Sequence, residues 1–65
     1  METKYIRVMD NGGNLQERDI TNTVKLSKGI QNFYHKYKQV FIENEYTVSI
    51  YKETENGREF IFNIP

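Results

Sequence analysis

The sequence contains no cysteine and no tryptophan among its 65 residues. Without cysteine, the chain has no disulfide framework, no thiolate nucleophile and none of the cysteine-based zinc folds. Its single histidine, His35, has no second strong metal ligand beside it in the sequence. We therefore expect no metal and no other cofactor, and a domain stabilised by its apolar core, by self-association or by a partner.

Long hydrophobic runs are also missing. No stretch approaches the ~18 consecutive apolar residues of a membrane span, and the opening "METKYIRV" does not place a basic segment before an apolar one. These absences predict a cytoplasmic protein that does not insert into membranes. Frequent use of Lys, Asn, Ile, Glu and Tyr suits an AT-rich genome and favours a bacterial or phage accessory protein.

The length predicts one domain, residues 1–65. A chain of this size buries only about 60% of its unfolded surface. Pockets for small molecules typically measure about 300–1,000 Å³, and we expect no room for one beside so small a core. Small size therefore favours a flat contact surface and predicts no small-molecule substrate.

Catalytic groups are too sparse to indicate an enzyme. The only serines are Ser27 and Ser49, and neither is close to His35 in a simple arrangement of the predicted elements. The paired acids flank a loop and a turn: Glu43 with Glu45, and Glu53 with Glu55. The segment "NGGN" lacks the helix and lysine that follow a phosphate-binding loop. We predict that the protein is not an enzyme.

A β-hairpin is predicted near the C-terminus, where apolar and polar residues alternate in "EYTVSIYKETENGREFIFNI". A three-residue loop at positions 55–57 places Ile50 opposite Phe62 and keeps one face of the hairpin apolar. We predict this register, with Tyr51 paired with Ile61 on the other face.

A weaker hairpin is predicted from "KYIRVMD", "NGGN" and "LQERDIT". Pairing centred on the second glycine sets Arg7 opposite Asp19. Closure of the loop on both glycines sets Arg7 opposite Arg18 instead, which brings like charges together. We predict the first register, with Ile6 opposite Ile20 on the core side.

Between the hairpins, residues 25–39 read "KLSKGIQNFYHKYKQ". At about 100° per residue, the apolar side chains fall within an arc of ~120°. These residues are Leu26, Ile30, Phe33, Tyr34, Tyr37, Val40 and Phe41. We predict one amphipathic helix that begins after Val24, with Ser27 as its N-cap, Gly29 tolerated in the first turn, and Asn44 as its stop.

The elements predict an α+β domain in ββαββ order, with one amphipathic helix packed on one face of a four-stranded sheet. This order, with "EYTV" opening the third strand, resembles that of β-grasp domains. The resemblance implies that the first and last strands pair in parallel at the centre of the sheet, and it implies no activity. A meander, or a dimer that shares one sheet, fits the same order.

Charge is unevenly distributed along the chain. Residues 20–42 contain four lysines and no acid, whereas the remaining residues contain five basic and nine acidic side chains. Such asymmetry is typical of an electrostatic site for nucleic acid, and the candidate residues are Lys25, Lys28, Lys36 and Lys38. Because the predicted helix turns its aromatic residues inward, they cannot stack on bases, and a solvated helix face is the preferred interpretation.

The sheet face opposite the helix is predicted to be open to solvent. Under the predicted registers, it carries Tyr5, Arg7, Met9, Tyr51 and Ile61. This composition is typical of protein interfaces. The hypothesis is a non-enzymatic binding protein that contacts a protein partner, or its own copy in a homodimer, through this face. The alternative is a nucleic-acid-binding accessory protein that uses the lysines of the helix.

Overall fold

Four strands and two helices make up the computed structural model, which describes residues 3–64. The elements are β1 (Lys4–Asn11), β2 (Asn14–Asp19), α1 (Thr21–Leu26), α2 (Ile30–Glu43), β3 (Thr47–Thr54) and β4 (Gly57–Ile64). Both helices lie on one side of the sheet, because Val24 of α1 and Phe33 of α2 share one buried cluster with Val48 of β3. The predicted α+β class and the ββαββ order are confirmed, with a short additional helix before the predicted one.

The strand order differs from that of a β-grasp domain. The order in the sheet is β2-β1-β3-β4, and β1 pairs with β3 in the antiparallel direction. Strands β1 and β4 are therefore not neighbours. β3 takes the central place because Val48 and Ile50 are fully buried, whereas the first four residues of β4 are exposed and suit an edge.

The first hairpin adopts the register that charge alone disfavours. Arg7 lies opposite Arg18, so the predicted pairing of Arg7 with Asp19 is wrong. The loop closes on Gly12 and Gly13, which have φ values of 63° and 99°. A two-residue loop with positive φ at both positions matches the twist of the strands. This turn geometry outweighs a like-charge pair, because cross-strand pairs change the free energy by only about 0.2–1 kcal/mol.

The two sides of β1 are also reversed relative to the prediction. Arg7 lies opposite Ile50 of β3, and Tyr5 and Met9 pack against the core beneath the helices. Ile6 and Val8 consequently lie on the open face of the sheet. Apolar residues occupy both sides of this strand, so alternation alone did not distinguish the two orientations.

The second hairpin combines the predicted register near the core with a different loop. Ile50 lies opposite Phe62, as predicted. The loop has two residues, not three, and Tyr51 pairs with Phe60, so the predicted pairing of Tyr51 with Ile61 is wrong. A β-bulge beside Ile50 and Tyr51 absorbs the extra residue, Ile61. Because the bulge adds one residue to β4, the two-residue turn still leaves Ile50 opposite Phe62 on the apolar face.

Helix α2 begins later than predicted and ends where predicted. Its C-cap is Asn44, whose side-chain amide donates a hydrogen bond of 2.7 Å to the carbonyl of Val40. Its N-cap is Gly29 and not Ser27. The Ser27 hydroxyl instead donates to the carbonyl of Thr23, within the preceding helix α1.

Helix α1 accounts for the residues that do not fit the amphipathic pattern of α2. Val24 lies outside the apolar arc of α2 because it belongs to α1, where it is buried in the core. Leu26, which the sequence predicts on the apolar arc, instead ends α1 and is 85% exposed. Asp19 precedes α1 and accepts hydrogen bonds from the backbone N–H and the hydroxyl of Thr21, which lower the pKa of its carboxyl group.

Candidate functional site

The five residues predicted to share the open sheet face do not form one surface. Tyr5, Met9 and Ile61 pack against the core on the helix side. Arg7 lies on that side too, with its guanidinium carbon 5.8 Å from the centre of the Phe41 ring. Tyr51 alone among the five lies on the open face. The reversed orientation of β1 and the bulge at Ile61 therefore place four of these residues on the helix side, away from Tyr51.

A different aromatic and arginine cluster occupies the open face. The registers place Ile6 of β1 beside Tyr51 of β3, and Tyr51 beside Phe60 of β4. The rings of Tyr51 and Phe60 meet edge to face, with their centres 5.8 Å apart. The Arg58 guanidinium lies over the Tyr51 ring at 5.6 Å. We call these four residues the open-face cluster: Ile6, Tyr51, Arg58 and Phe60.

Arg58 joins the two edges of the sheet. Its guanidinium lies 3.1 Å from a carboxylate oxygen of Glu17 on β2 and 3.5 Å from one of Glu53 on β3. Strands β2 and β4 lie at opposite edges, so this contact requires a sheet curled toward its open face. The hydrogen bond with Glu17 raises the pKa of Arg58. Ile6 is only 7% exposed although neither helix covers this face, as expected for a strand on the inner side of a curled sheet.

The four lysines proposed for nucleic-acid binding are all exposed but are spread over three segments. Lys25 lies on α1, Lys28 between the helices, and the other two on α2. Lys36 lies 5.4 Å from the ring centre of Tyr37, and Lys38 lies 5.5 Å from that of Tyr34. Lys36 and Lys38 are two residues apart and thus lie about 200° apart around the helix. Nucleic-acid binding stays a prediction, because the four lysines do not line one common groove.

A cleft on the helix side was missed by the sequence reasoning. It has a volume of about 470 Å³, although so short a chain was expected to leave no room for one. It lies between the first hairpin and the two helices. It is lined by Arg7, Arg18, Asp19, Ile20, Asn22, Thr23, Phe33, Tyr37 and Phe41. The closure of the loop on both glycines places two arginines side by side, and recognition of that turn would have located the cleft.

Arg7 is the least satisfied polar side chain of this cleft. Its Nε atom is buried and has no hydrogen-bond partner in the part of the chain that the structure describes. Burial lowers the pKa of Arg7, and the neighbouring charge of Arg18 lowers it further. A guanidinium in this position favours an incoming anion, because an anion at its terminal nitrogens would supply a counter-charge.

The remaining candidate groups do not converge. His35 is exposed, with its ring 5.6 Å from that of Tyr34, and no three metal-ligating side chains cluster within residues 3–64. The Ser49 hydroxyl donates to the side-chain oxygen of Asn63 at 2.9 Å. Neither helix of the described chain has the length and apolar character needed to cross a membrane. That the protein is not an enzyme stays a prediction.

Comparisons with known proteins identify no relative. No family model matches the sequence, and neither the curated proteins nor the solved structures contain a match. Function must therefore be argued from the open-face cluster and the cleft themselves.

Proposed function

We propose that the protein is a small non-enzymatic binding protein that forms a homodimer through the open face of its sheet. The observation that carries this proposal is Phe60, which is 50% exposed and held edge-on against Tyr51 on a face that neither helix covers. Arg58 lies beside them, over the Tyr51 ring. Tyrosine and arginine are the residues that most often dominate binding energy at interfaces, and they do so when they are fixed in place before binding.

A second copy of this chain is the occupant that the charges favour. The formal net charge of the chain is zero, so two copies do not repel one another. The open face carries both signs, with Arg58 between Glu17 and Glu53. A two-fold axis brings the same patch of both copies together. Because Arg58 is already paired within its own chain, the two copies can meet without unpaired like charges at this contact.

Burial of apolar surface adds to this argument. Association through the open face would remove the exposed half of Phe60 from water.

Sedimentation over a wide range of protein concentration tests the proposal. We expect a concentration-dependent dimer, and we expect Phe60→Ser to raise its dissociation constant about 30-fold or more, since interface hot spots contribute about 2 kcal/mol or more. Val40→Ser is the matched control, because Val40 is 49% exposed but lies on α2, away from this face.

Circular dichroism of each variant must first show a folded chain. A wild-type protein that stays monomeric at the highest concentration would refute the homodimer. A dimer weakened equally by Phe60→Ser and Val40→Ser would assign the contact to another surface.

A further inference from the structure

Each hairpin turn contains an asparagine that is followed directly by a glycine. The two pairs are Asn11 with Gly12 and Asn56 with Gly57. Such a pair can lose the side-chain amide without an enzyme, when the backbone nitrogen of the glycine attacks the side-chain carbonyl carbon. Glycine permits this approach because it carries no side chain and adopts many backbone conformations. The two turns can therefore be compared as modification sites within one molecule.

The attacking nitrogen is free at the first site. Gly12 lies in the loop between β1 and β2, and its N–H forms no hydrogen bond with any residue in the range 3–64. The N–H of the next residue, Gly13, is held instead, by the Oδ1 atom of Asp10 at 3.1 Å. Asn11 and Gly12 are both exposed. The described part of the fold therefore leaves this nitrogen and its approach to the Asn11 side chain open.

The second site is more constrained by the sheet. Gly57 is the first residue of β4 and pairs with Thr54 of β3. The backbone N–H of Asn56 donates to the hydroxyl of Thr54 at 3.3 Å. Attack by the Gly57 nitrogen therefore requires the closing pair of this hairpin to open first. We expect the same dipeptide to react more slowly here than in the first hairpin.

We propose that Asn11 is a site of spontaneous modification, at which its side-chain amide is converted to aspartate and isoaspartate. In the first step, a bond forms between the Gly12 nitrogen and the Cγ atom of Asn11. The bond from Cγ to Nδ2 breaks, and ammonia leaves with the proton of the Gly12 N–H. Water then opens the resulting imide ring. Opening at Cγ gives aspartate, and opening at the backbone carbonyl carbon gives isoaspartate, whose main chain runs through the former side chain.

Isoaspartate would disturb this turn because it adds one carbon to the main chain. The loop that follows Asn11 has φ values of 63° and 99° at its two glycines, and its fit depends on matching the twist of the strands. The added carbon changes the offset between Asn11 and Asn14, which form the closing pair. Strand β2 lies at the edge of the sheet, and its register depends on this turn. We therefore expect its pairing to weaken, together with the ion pair between Glu17 and Arg58.

Incubation of the wild-type protein in warm neutral buffer, followed by tryptic digestion and mass spectrometry, tests the proposal. Trypsin places the two sites in separate peptides, residues 8–18 and 53–58. We expect Asn11 to be converted about five times faster than Asn56 in the native protein, the factor that corresponds to one hydrogen bond of about 1 kcal/mol. In concentrated urea the two rates should become similar, because the hairpins that distinguish them are lost. Equal native rates, or faster conversion of Asn56, would overturn the proposal.

Two variants separate the chemistry from its effect on the fold. Asn11→Gln keeps an amide whose longer side chain closes a ring far more slowly, so it should abolish the change in residues 8–18 and leave that at Asn56 unaltered. Asn11→Asp adds the charge without the extra carbon and should melt close to wild type. The purified isoaspartate form should melt about 4–8 °C lower, as for the loss of one hydrogen bond in so small a domain. An isoaspartate form that melts like Asn11→Asp would contradict the expected weakening of the hairpin.

Discussion

Replacement of Phe33 by alanine is expected to bring the free energy of unfolding close to zero, so that a large part of the protein is unfolded at room temperature. Phe33 is 2% exposed and packs at the centre of the core formed by both helices and β3. Truncation of a buried phenylalanine to alanine costs about 3–5 kcal/mol. A domain of this size has a total stability of only about 3–5 kcal/mol without disulfides or metal. The two quantities are similar, so about half of the variant molecules or more should be unfolded.

Urea denaturation followed by far-ultraviolet circular dichroism measures this effect, with Phe60→Ala as the control. Phe60 is the same residue type but is half exposed at the edge strand. Its truncation should cost about 1 kcal/mol, because only part of its surface is buried in the monomer. Similar losses for the two variants would contradict the position of Phe33 in the core. Measurements below the dissociation constant of the dimer keep the comparison to the monomer.

Replacement of Gly29 by alanine is expected to lower the free energy of unfolding by about 1–3 kcal/mol, because its backbone conformation is accessible essentially to glycine alone. Gly29 has φ 127° and ψ 168° and is the N-cap of α2. Apart from Gly29 and its two chain neighbours, no residue that the structure describes has an atom within 4 Å of the position of an added Cβ. The expected cost is therefore backbone strain and not a steric clash. Thermal unfolding of wild type and variant measures it.

The neighbouring residue provides the control for Gly29. Lys28 has φ 64°, a left-handed conformation that glycine adopts without strain. Lys28→Gly should therefore leave the stability unchanged or raise it slightly. An unchanged melting temperature for Gly29→Ala would mean that α1 and α2 are not joined by this turn.

Part of the fold followed from the sequence. The helical period over residues 30–43 located α2, because Phe33, Tyr37 and Phe41 recur on one face. The alternation in the second hairpin located its buried side. In both segments one side is clearly more apolar than the other, and such patterns determine which side is buried.

The orientation of β1, the bulge in β4 and helix α1 depended on features that hydrophobic patterns do not encode. In β1, Ile6 and Val8 compete with Tyr5 and Met9 for the core side, and the longer side chains occupy it. The bulge at Ile61 depends on the two-residue turn of the second hairpin. Helix α1 is only six residues long, too short to show a period.

The candidate sites were less predictable than the fold, because hydrophobic patterns do not encode the orientation of β1. The open-face cluster and the cleft both follow from which side of β1 faces the helices. Once that orientation is set, Arg7 joins Arg18 in the cleft, and Ile6 joins Tyr51 on the open face. The orientation of β1 therefore moved three of the five predicted interface residues, Tyr5, Arg7 and Met9, to core or cleft positions, and the bulge in β4 moved a fourth, Ile61.

The orientation of β1 is the central claim of this account, and nuclear Overhauser contacts to the Phe41 ring test it most directly. We expect contacts from the Phe41 ring protons to the side chain of Arg7, whose guanidinium carbon lies 5.8 Å from the ring centre. We expect none to the methyl groups of Ile6, which should contact Tyr51 instead. Contacts between Ile6 and Phe41, with none from Arg7, would show that the opposite side of β1 faces the helices. That result would contradict both the cleft and the open-face cluster.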